Sequence, residues 1–261
     1  MWYLKLWRRF VILGLARTVE YRLNFLFSLI TGLAELALAV LAFVIMFRYT
    51  NRVSGWSLAE VLMLAGLYKV AEGLIGFQIA PNMLAISGYI RTGEMDFILL
   101  SPVSSRFLVS TRTVALPALA DVLAGLILIV YAGDRANVQW TIVGLAEAAT
   151  LLLCGLILLY SVWFFTVTFA FWLVQLESLD TMFYSLFETA RYPISFFKGL
   201  VRAVLIFGFP VAFVTTFPAQ ALLGTLQAAW LPVGAVMALL ALWGTQRFWA
   251  HAVRHYSSAS S

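Results

Sequence analysis

The sequence is poor in reactive and charged side chains. Among 261 residues there are three lysines, two histidines and one cysteine, and only 11% of the chain is charged. The lone Cys154 sits inside an apolar run, which excludes an intrachain disulfide and any cysteine-rich metal centre. His251 and His255 are four residues apart, yet no third ligand lies within sequence reach, so neither a metal site nor a Ser-His dyad is supported. No G-x-x-x-x-G-K-[ST] occurs, so the chain does not bind ATP by a P-loop, and no H-E-x-x-H occurs either. Internal repeats are absent, which leaves inverted-repeat transporter architecture without support. Together these absences argue against an enzyme.

What fills the chain is hydrocarbon. It is 63% hydrophobic and 15% aromatic, with a mean hydropathy of +0.95, far outside the soluble range. The expected fold class is therefore an all-α integral membrane protein forming one domain over 1–256. Its length leaves room for six spans of roughly 20 residues and for no separate catalytic domain. The apolar runs place these spans at about 23–47, 58–80, 107–131, 140–173, 200–217 and 231–249. Segment 1–18 has Trp2, Leu6, Trp7, Phe10 and Leu13 on one helical face with Lys5, Arg8 and Arg9 elsewhere, as expected of an interfacial helix. A signal peptide is rejected, because Arg17, Glu20 and Arg22 break the apolar run and no small-residue cleavage pattern follows. Segment 175–197 carries an apolar stripe of Leu176, Leu179, Phe183, Leu186 and Phe187 beside Glu177, Asp180, Glu188 and Arg191, and reads as a second amphipathic helix at the cytoplasmic surface. The apolar 218–230 connection is expected to re-enter the membrane, and 257–261 to be disordered.

A net charge of +5 does not require nucleic acid, because basic residues in membrane chains gather on the cytoplasmic side. Six spans with the N-terminus inside put thirteen cations in the cytoplasm: Lys5, Arg8, Arg9, Arg17, Arg22, Arg91, Arg106, Arg112, Arg191, Lys198, Arg202, Arg247 and Arg254. Only Arg48, Arg52 and Arg135 fall outside, so both termini are expected in the cytoplasm.

Five ionisable residues lie at membrane depth: Glu35, Lys69, Glu72, Asp121 and Glu147. Each costs about 2.5–3.5 kcal/mol on insertion scales. The first span outweighs Glu35 with fifteen Leu, Ile, Phe and Val residues. The second has ten against Lys69 and Glu72, so those two charges are expected to be paired. Glu35 and Lys69 fall at similar depth in an antiparallel hairpin, and Lys69 and Glu72 are i,i+3 neighbours, which predicts a Glu35, Lys69, Glu72 cluster. Such a group serves as a conduit, substrate site or proton relay, or as polar glue between helices. Asp121 and Glu147 are similar candidates, expected nearer the outer leaflet.

Between the second and third spans lies 91–102, the one stretch of mixed polarity in its neighbourhood. Thr92 is a suitable N-cap, Glu94 and Asp96 fall in the first turn, Met95, Ile98 and Leu99 share a face, and Pro102 ends the helix. It is built either to lie on a membrane surface or to be pushed by a partner.

The Arg91-Thr92-Gly93-Glu94-Met95-Asp96 to Leu100-Ser101-Pro102 segment, with Arg191-Tyr192-Pro193, Pro210 and Phe217-Pro218-Ala219, resembles the membrane subunit of type-2 ATP-binding-cassette (ABC) permeases, six-span bacterial exporters. The resemblance covers nearly the whole chain. It implies a homodimer or heterodimer of permease subunits in the bacterial inner membrane, surrounded by lipid, each touching a separately encoded ATPase. Cofactors would be absent from this chain, with ATP and Mg bound on the ATPase. The resemblance also implies that Arg91, Glu94, Met95, Asp96, Phe97, Ile98 and Leu99 form the ATPase-coupling helix, apolar residues as anchors and carboxylates for orientation. Without it, the five buried charges fit an ion- or proton-driven carrier, and a membrane scaffold is a third reading.

Overall fold

Two helices of this chain touch along their backbones. The computed structural model describes residues 2–20, 22–172 and 177–256, and among these there is no β-strand. Helix α1 (Trp2–Glu20) precedes α2 (Arg22–Met46), which tightens into a 3-10 turn at Phe47–Tyr49. Next comes α3 (Leu58–Leu74), started by a capping box in which Ser57 Oγ accepts from Glu60 N–H and Glu60 Oε2 accepts from Ser57 N–H. A π turn at Ile75–Ile79 leads into α4 (Ala80–Thr92), followed by α5 (Glu94–Leu100), α6 (Ser105–Thr111) and α7 (Leu119–Arg135). The remaining helices are α8 (Ile142–Thr168), α9 (Glu177–Glu188), α10 (Gly199–Ala203), α11 (Thr216–Leu222) and α12 (Trp230–Arg254).

The intimate pair is α3 and α7, which run antiparallel. A Cβ built on Gly66 would lie 2.8 Å from the Gly125 carbonyl oxygen, and one on Gly73 would lie 2.7 Å from that of Ala118. Where lipid supplies no hydrophobic drive for helix association, such small residues let backbones approach and dispersion accumulate. α2 packs against both members of this pair and α11 against α3, while α12 packs along α8 and α5 and α6 pack on α4. At one end of the body lie the 50–57 turn, the start of α8 and Trp230. At the other lie α5 and α6, with Trp249 Nε1 donating to Ser105 Oγ and Arg106 Nη2 donating to Thr245 Oγ1.

Against the six expected spans, four helical stretches among the described residues are long and apolar enough to cross a membrane: Phe25–Tyr49, Leu116–Arg135, Ile142–Phe171 and Trp230–Arg254. The expected second span is α3 with its π turn, enclosed by neighbouring helices, and its α-helix is interrupted by that turn before it reaches the length of a span. Its 17-residue α-helix holds Glu60, Lys69 and Glu72. The expected third span, 107–131, is interrupted: α6 ends at Thr111 and the apolar helix begins with a 3-10 turn at Leu116–Ala118, because Pro117 cannot continue a helix from the preceding turn.

The expected fifth span, 200–217, is not one straight helix. Segments Gly199–Gly208 and Val211–Leu222 are bent by 67° at Pro210. The pair starts beside the 50–57 turn, where Trp56 Nε1 donates to Ser195 Oγ. Its bend lies deep in the body, with Phe209 against Phe183 and Phe213 against Gly155. It then returns to the first end, where the Ala221 carbonyl lies beside Gly144 and Phe217 stacks on Trp230. The two arms thus form one bent pair that turns inside the body, and the start of the expected 218–230 segment belongs to its second arm.

The stretch expected as a surface helix, 175–197, instead climbs the body. Phe183 of α9 stacks on Trp163, Phe187 stacks on Tyr68, and Ser195 reaches Trp56. Its apolar stripe packs on protein, with Phe183 and Phe187 buried, while Thr181, Ser185 and Glu188 stay exposed on the opposite face. Gln175 and Leu176 lie outside the described residues, as do the side chains of Glu177, Leu179 and Asp180 and the expected tail 257–261.

Gly66→Ala is expected to cost about 1–3 kcal/mol by prising α3 from α7, whereas Gly88→Ala, which meets open space, should not destabilise the protein. Thermal unfolding of the two variants in the same detergent compares them, and an unchanged Tm for Gly66→Ala would refute the close-packing argument.

Candidate functional site

Lys69 is the centre of a charged group at the middle of the body. Its side chain is buried, and Nζ lies 2.7 Å from Glu72 Oε2, 3.1 Å from Asp121 Oδ1 and 3.6 Å from Glu35 Oε2. Three helices thereby meet at one ammonium: α2 supplies Glu35, α3 supplies Glu72 and α7 supplies Asp121. Among the described residues Glu72 Oε2 has no hydrogen-bond partner beyond this ion contact, while Tyr68 Oη donates to Glu72 Oε1 at 3.2 Å. The Arg191 guanidinium lies over the Tyr68 ring, 4.8 Å from its centroid. Room for Asp121 comes from Gly32, where a Cβ would stand 2.6 Å from Oδ1.

The group is reached through an open cleft of about 260 Å³ between α2, α3 and α9, whose walls include Thr31, Glu35, Lys69, Asp121, Tyr184 and Phe187. A neighbouring cleft of about 360 Å³ is bounded by Glu35, Phe43, Met46, Arg191 and Tyr192. Glu35 stands between the two and is 58% exposed, so it makes the longest and wettest of the three contacts. Isolated charges at this depth are costly, and mutual pairing is what makes them tolerable.

The structure assembles the expected Glu35, Lys69, Glu72 cluster and adds Asp121. Because α7 begins at Leu119, Asp121 lies in its first turn, level with Lys69 and deeper than a span starting at 107 would place it. Glu147 does not join. It lies on α8 with no ion pair among the described residues, so the five charges form no continuous relay. Sequence reasoning missed Tyr68, Gly32 and Arg191. Tyr68 was legible as the residue one turn before Glu72, whereas Arg191 was hidden by the surface assignment of its helix.

At the other end, the expected Thr92 N-cap is replaced by a glycine junction. Thr92 Oγ1 donates to the Gly88 carbonyl inside the last turn of α4, and Gly93, at φ +76°, both ends α4 and begins α5. A left-handed residue here favours glycine. Glu94 lies 3.8 Å from Arg112, whose guanidinium packs on Tyr89. Arg91 occupies the last turn of α4 and Asp96 the first turn of α5. Met95 and Ile98 are buried within the chain and Leu99 is half-buried, so Met95 and Ile98 fasten α5 to its own subunit. The side chains turned outward are Phe97, 75% exposed, and Leu100, 82% exposed. A cleft of about 410 Å³ separates α5 from Phe10 of α1 and Leu108 of α6.

Residues 33–260 match the family described as ABC-2 family transporter protein. No curated protein and no solved structure matches the chain.

Removing the central cation should leave three mutually repelling carboxylates. Lys69→Met is expected to destabilise the protein by about 3–5 kcal/mol, with part of the loss recovered when Glu72→Gln and Asp121→Asn are added. Unfolding midpoints of the single and triple variants decide this, and a single variant as stable as the parent would remove the structural role of the ion group.

Proposed function

This chain belongs to the ABC-2 family of transporter proteins as a permease component, and on that premise we propose that it forms the path by which a substrate is exported, using ATP hydrolysed on a separate ATPase. ATP and Mg are then bound by that partner. The six crossings of this reading are α2, α3 with α4, α7, α8, the α9 run through 196, and α12. The 199–222 hairpin dips in from the outer side. Two such subunits, identical or different, pair in a bacterial cell membrane with the charged clefts along α2 facing the path.

The corrected topology moves Lys198 and Arg202 to the outer end and Arg191 into the body. Ten cations remain at the end carrying α5 against five at the other, which still supports a cytoplasmic α5 and cytoplasmic termini. The observation that carries the proposal is α5 itself. Buried Met95 and Ile98 hold it to the permease, while Phe97 and Leu100 project two large apolar side chains where water would otherwise meet them. Exposed apolar anchors flanked by carboxylates, here Glu94 and Asp96, suit a cleft on a partner protein. Closure of an ATPase pair would push α5, tilt α4 and α6, and open the path between subunits. An ion-driven carrier is the weaker reading, since Glu147 stands apart from the charged group.

Phe97→Glu with Leu100→Glu is expected to insert and purify normally but to bind the ATPase on the order of a hundredfold or more weakly. Co-purification with the ATPase, checked against monodispersity of the permease alone, tests this. Retained assembly would show that α5 is not the docking element.

A further inference from the structure

Two proline-broken segments lie side by side between the charged group and α5, and each satisfies a backbone group that the other's proline leaves open. Pro81 has no N–H to give the Phe77 carbonyl, its partner in a regular helix. That carbonyl accepts instead from Ala115 N–H at 2.9 Å, across the gap. Pro117 likewise leaves the Thr113 carbonyl without its regular donor, and Asn82 Nδ2 donates to it at 2.7 Å. Asn82 Oδ1 accepts from Thr113 N–H at 2.9 Å, and Nδ2 also donates to the Gln78 carbonyl at 2.6 Å. Only one orientation of the amide serves all three partners, and the residue is buried.

Gln78 extends the link. Its Nε2 donates to the Ser110 carbonyl at 3.1 Å, and its Oε1 accepts from Trp7 Nε1 at 2.9 Å, tying α1 to the same point. Gly14 of α1 comes close enough that a Cβ there would meet the Val114 carbonyl at 2.8 Å. On the broken α3–α4 helix the π turn at Ile75–Ile79 already departs from the regular ladder, and such turns recur where helices must adjust. Both covalent connections from the α4–α6 unit to the spans beyond it are thus interrupted at one height.

Resting on the permease reading, we infer that these paired breaks are a single hinge and that Asn82 is the positioning residue that makes it act as one. Displacement of α4–α6 is then passed to α3 and α7 together, and through Lys69 to α2. A hydrogen-bonded amide clamped to main chain on both sides transmits direction, whereas two independent proline breaks would each absorb the motion.

The test uses the full permease with its ATPase, in a Cys154→Ala background, with spin labels on Thr92→Cys below the hinge and Ile142→Cys above it. In the parent, a narrow distance distribution is expected, shifting when MgATP and vanadate trap the ATPase. Asn82→Leu keeps the volume and removes the clamp. It is expected to retain ATPase binding and hydrolysis, to broaden the distribution even without nucleotide, and to reduce the shift about tenfold. A width and shift like the parent's would overturn the proposal, as would loss of the shift only in proportion to loss of ATPase binding. If Asn82→Leu does not fold, Gln78→Met, which leaves the Asn82–Thr113 contacts intact, must give an intermediate broadening, and an unbroadened distribution refutes the hinge. A parent that binds no ATPase would instead refute the permease reading, while the nucleotide-free widths would still judge the hinge.

Discussion

The contact between the Gly66 and Gly125 backbones is the constraint from which the rest follows. With any side chain at either position, α3 and α7 would stand apart, and Asp121 would be carried away from Lys69. An ammonium buried in an apolar body is tolerable only while carboxylates remain within ion-pairing distance. The close-packed glycines therefore do more than save volume. They set the separation at which a charge becomes affordable, and α2 is recruited as the third wall through Gly32 and Glu35.

That arrangement divides the permease into a tightly joined pair and a looser helix beside it. α2 exposes large apolar side chains along most of its length, including Phe27, Ile30, Leu38 and Ile45. In lipid or against a second subunit this is unremarkable. Its ionic hold on the body is the 3.6 Å contact of a half-wet carboxylate, far weaker than the contacts between α3 and α7. Of the three carboxylates around Lys69, the one on α2 is held at the longest distance and stands where the two clefts meet.

The apolar runs made the all-helical membrane class and the first, fourth and last spans legible, since long helices of Leu, Phe and Val leave little ambiguity. Glu35, Lys69 and Glu72 were legible because a hairpin fixes relative depth. Asp121 was not, because an apolar run does not reveal where Pro117 will restart the helix, and depth counted from 107 misplaces it. On α5, spacing identified a shared face for Met95, Ile98 and Leu99 but could not say what covers it; the chain itself does. In the 175–197 stretch the amphipathic stripe was legible, with Phe183 and Phe187 buried and Glu188 exposed. The partners of that stripe, Trp163, Tyr68 and Phe209, were not, because spacing gives a face and not what it packs against.

The bent 199–222 pair has a consequence for biogenesis. At its bend, around Phe209 and Pro210, the backbone is irregular, and irregular backbone survives at membrane depth only when enclosed by protein. Its flanks are fastened by Ile194 N–H donating to Thr216 Oγ1 and by Thr215 Oγ1 donating to the Ala190 carbonyl. Its floor is Gly155 of α8 and Gly234 of α12. α12 follows the hairpin in the sequence, so the segment has no finished site when it leaves the ribosome. The contact of Phe213 with Gly234 forms only once α12 has been made, so the final seat of this segment is completed by the last helix of the chain.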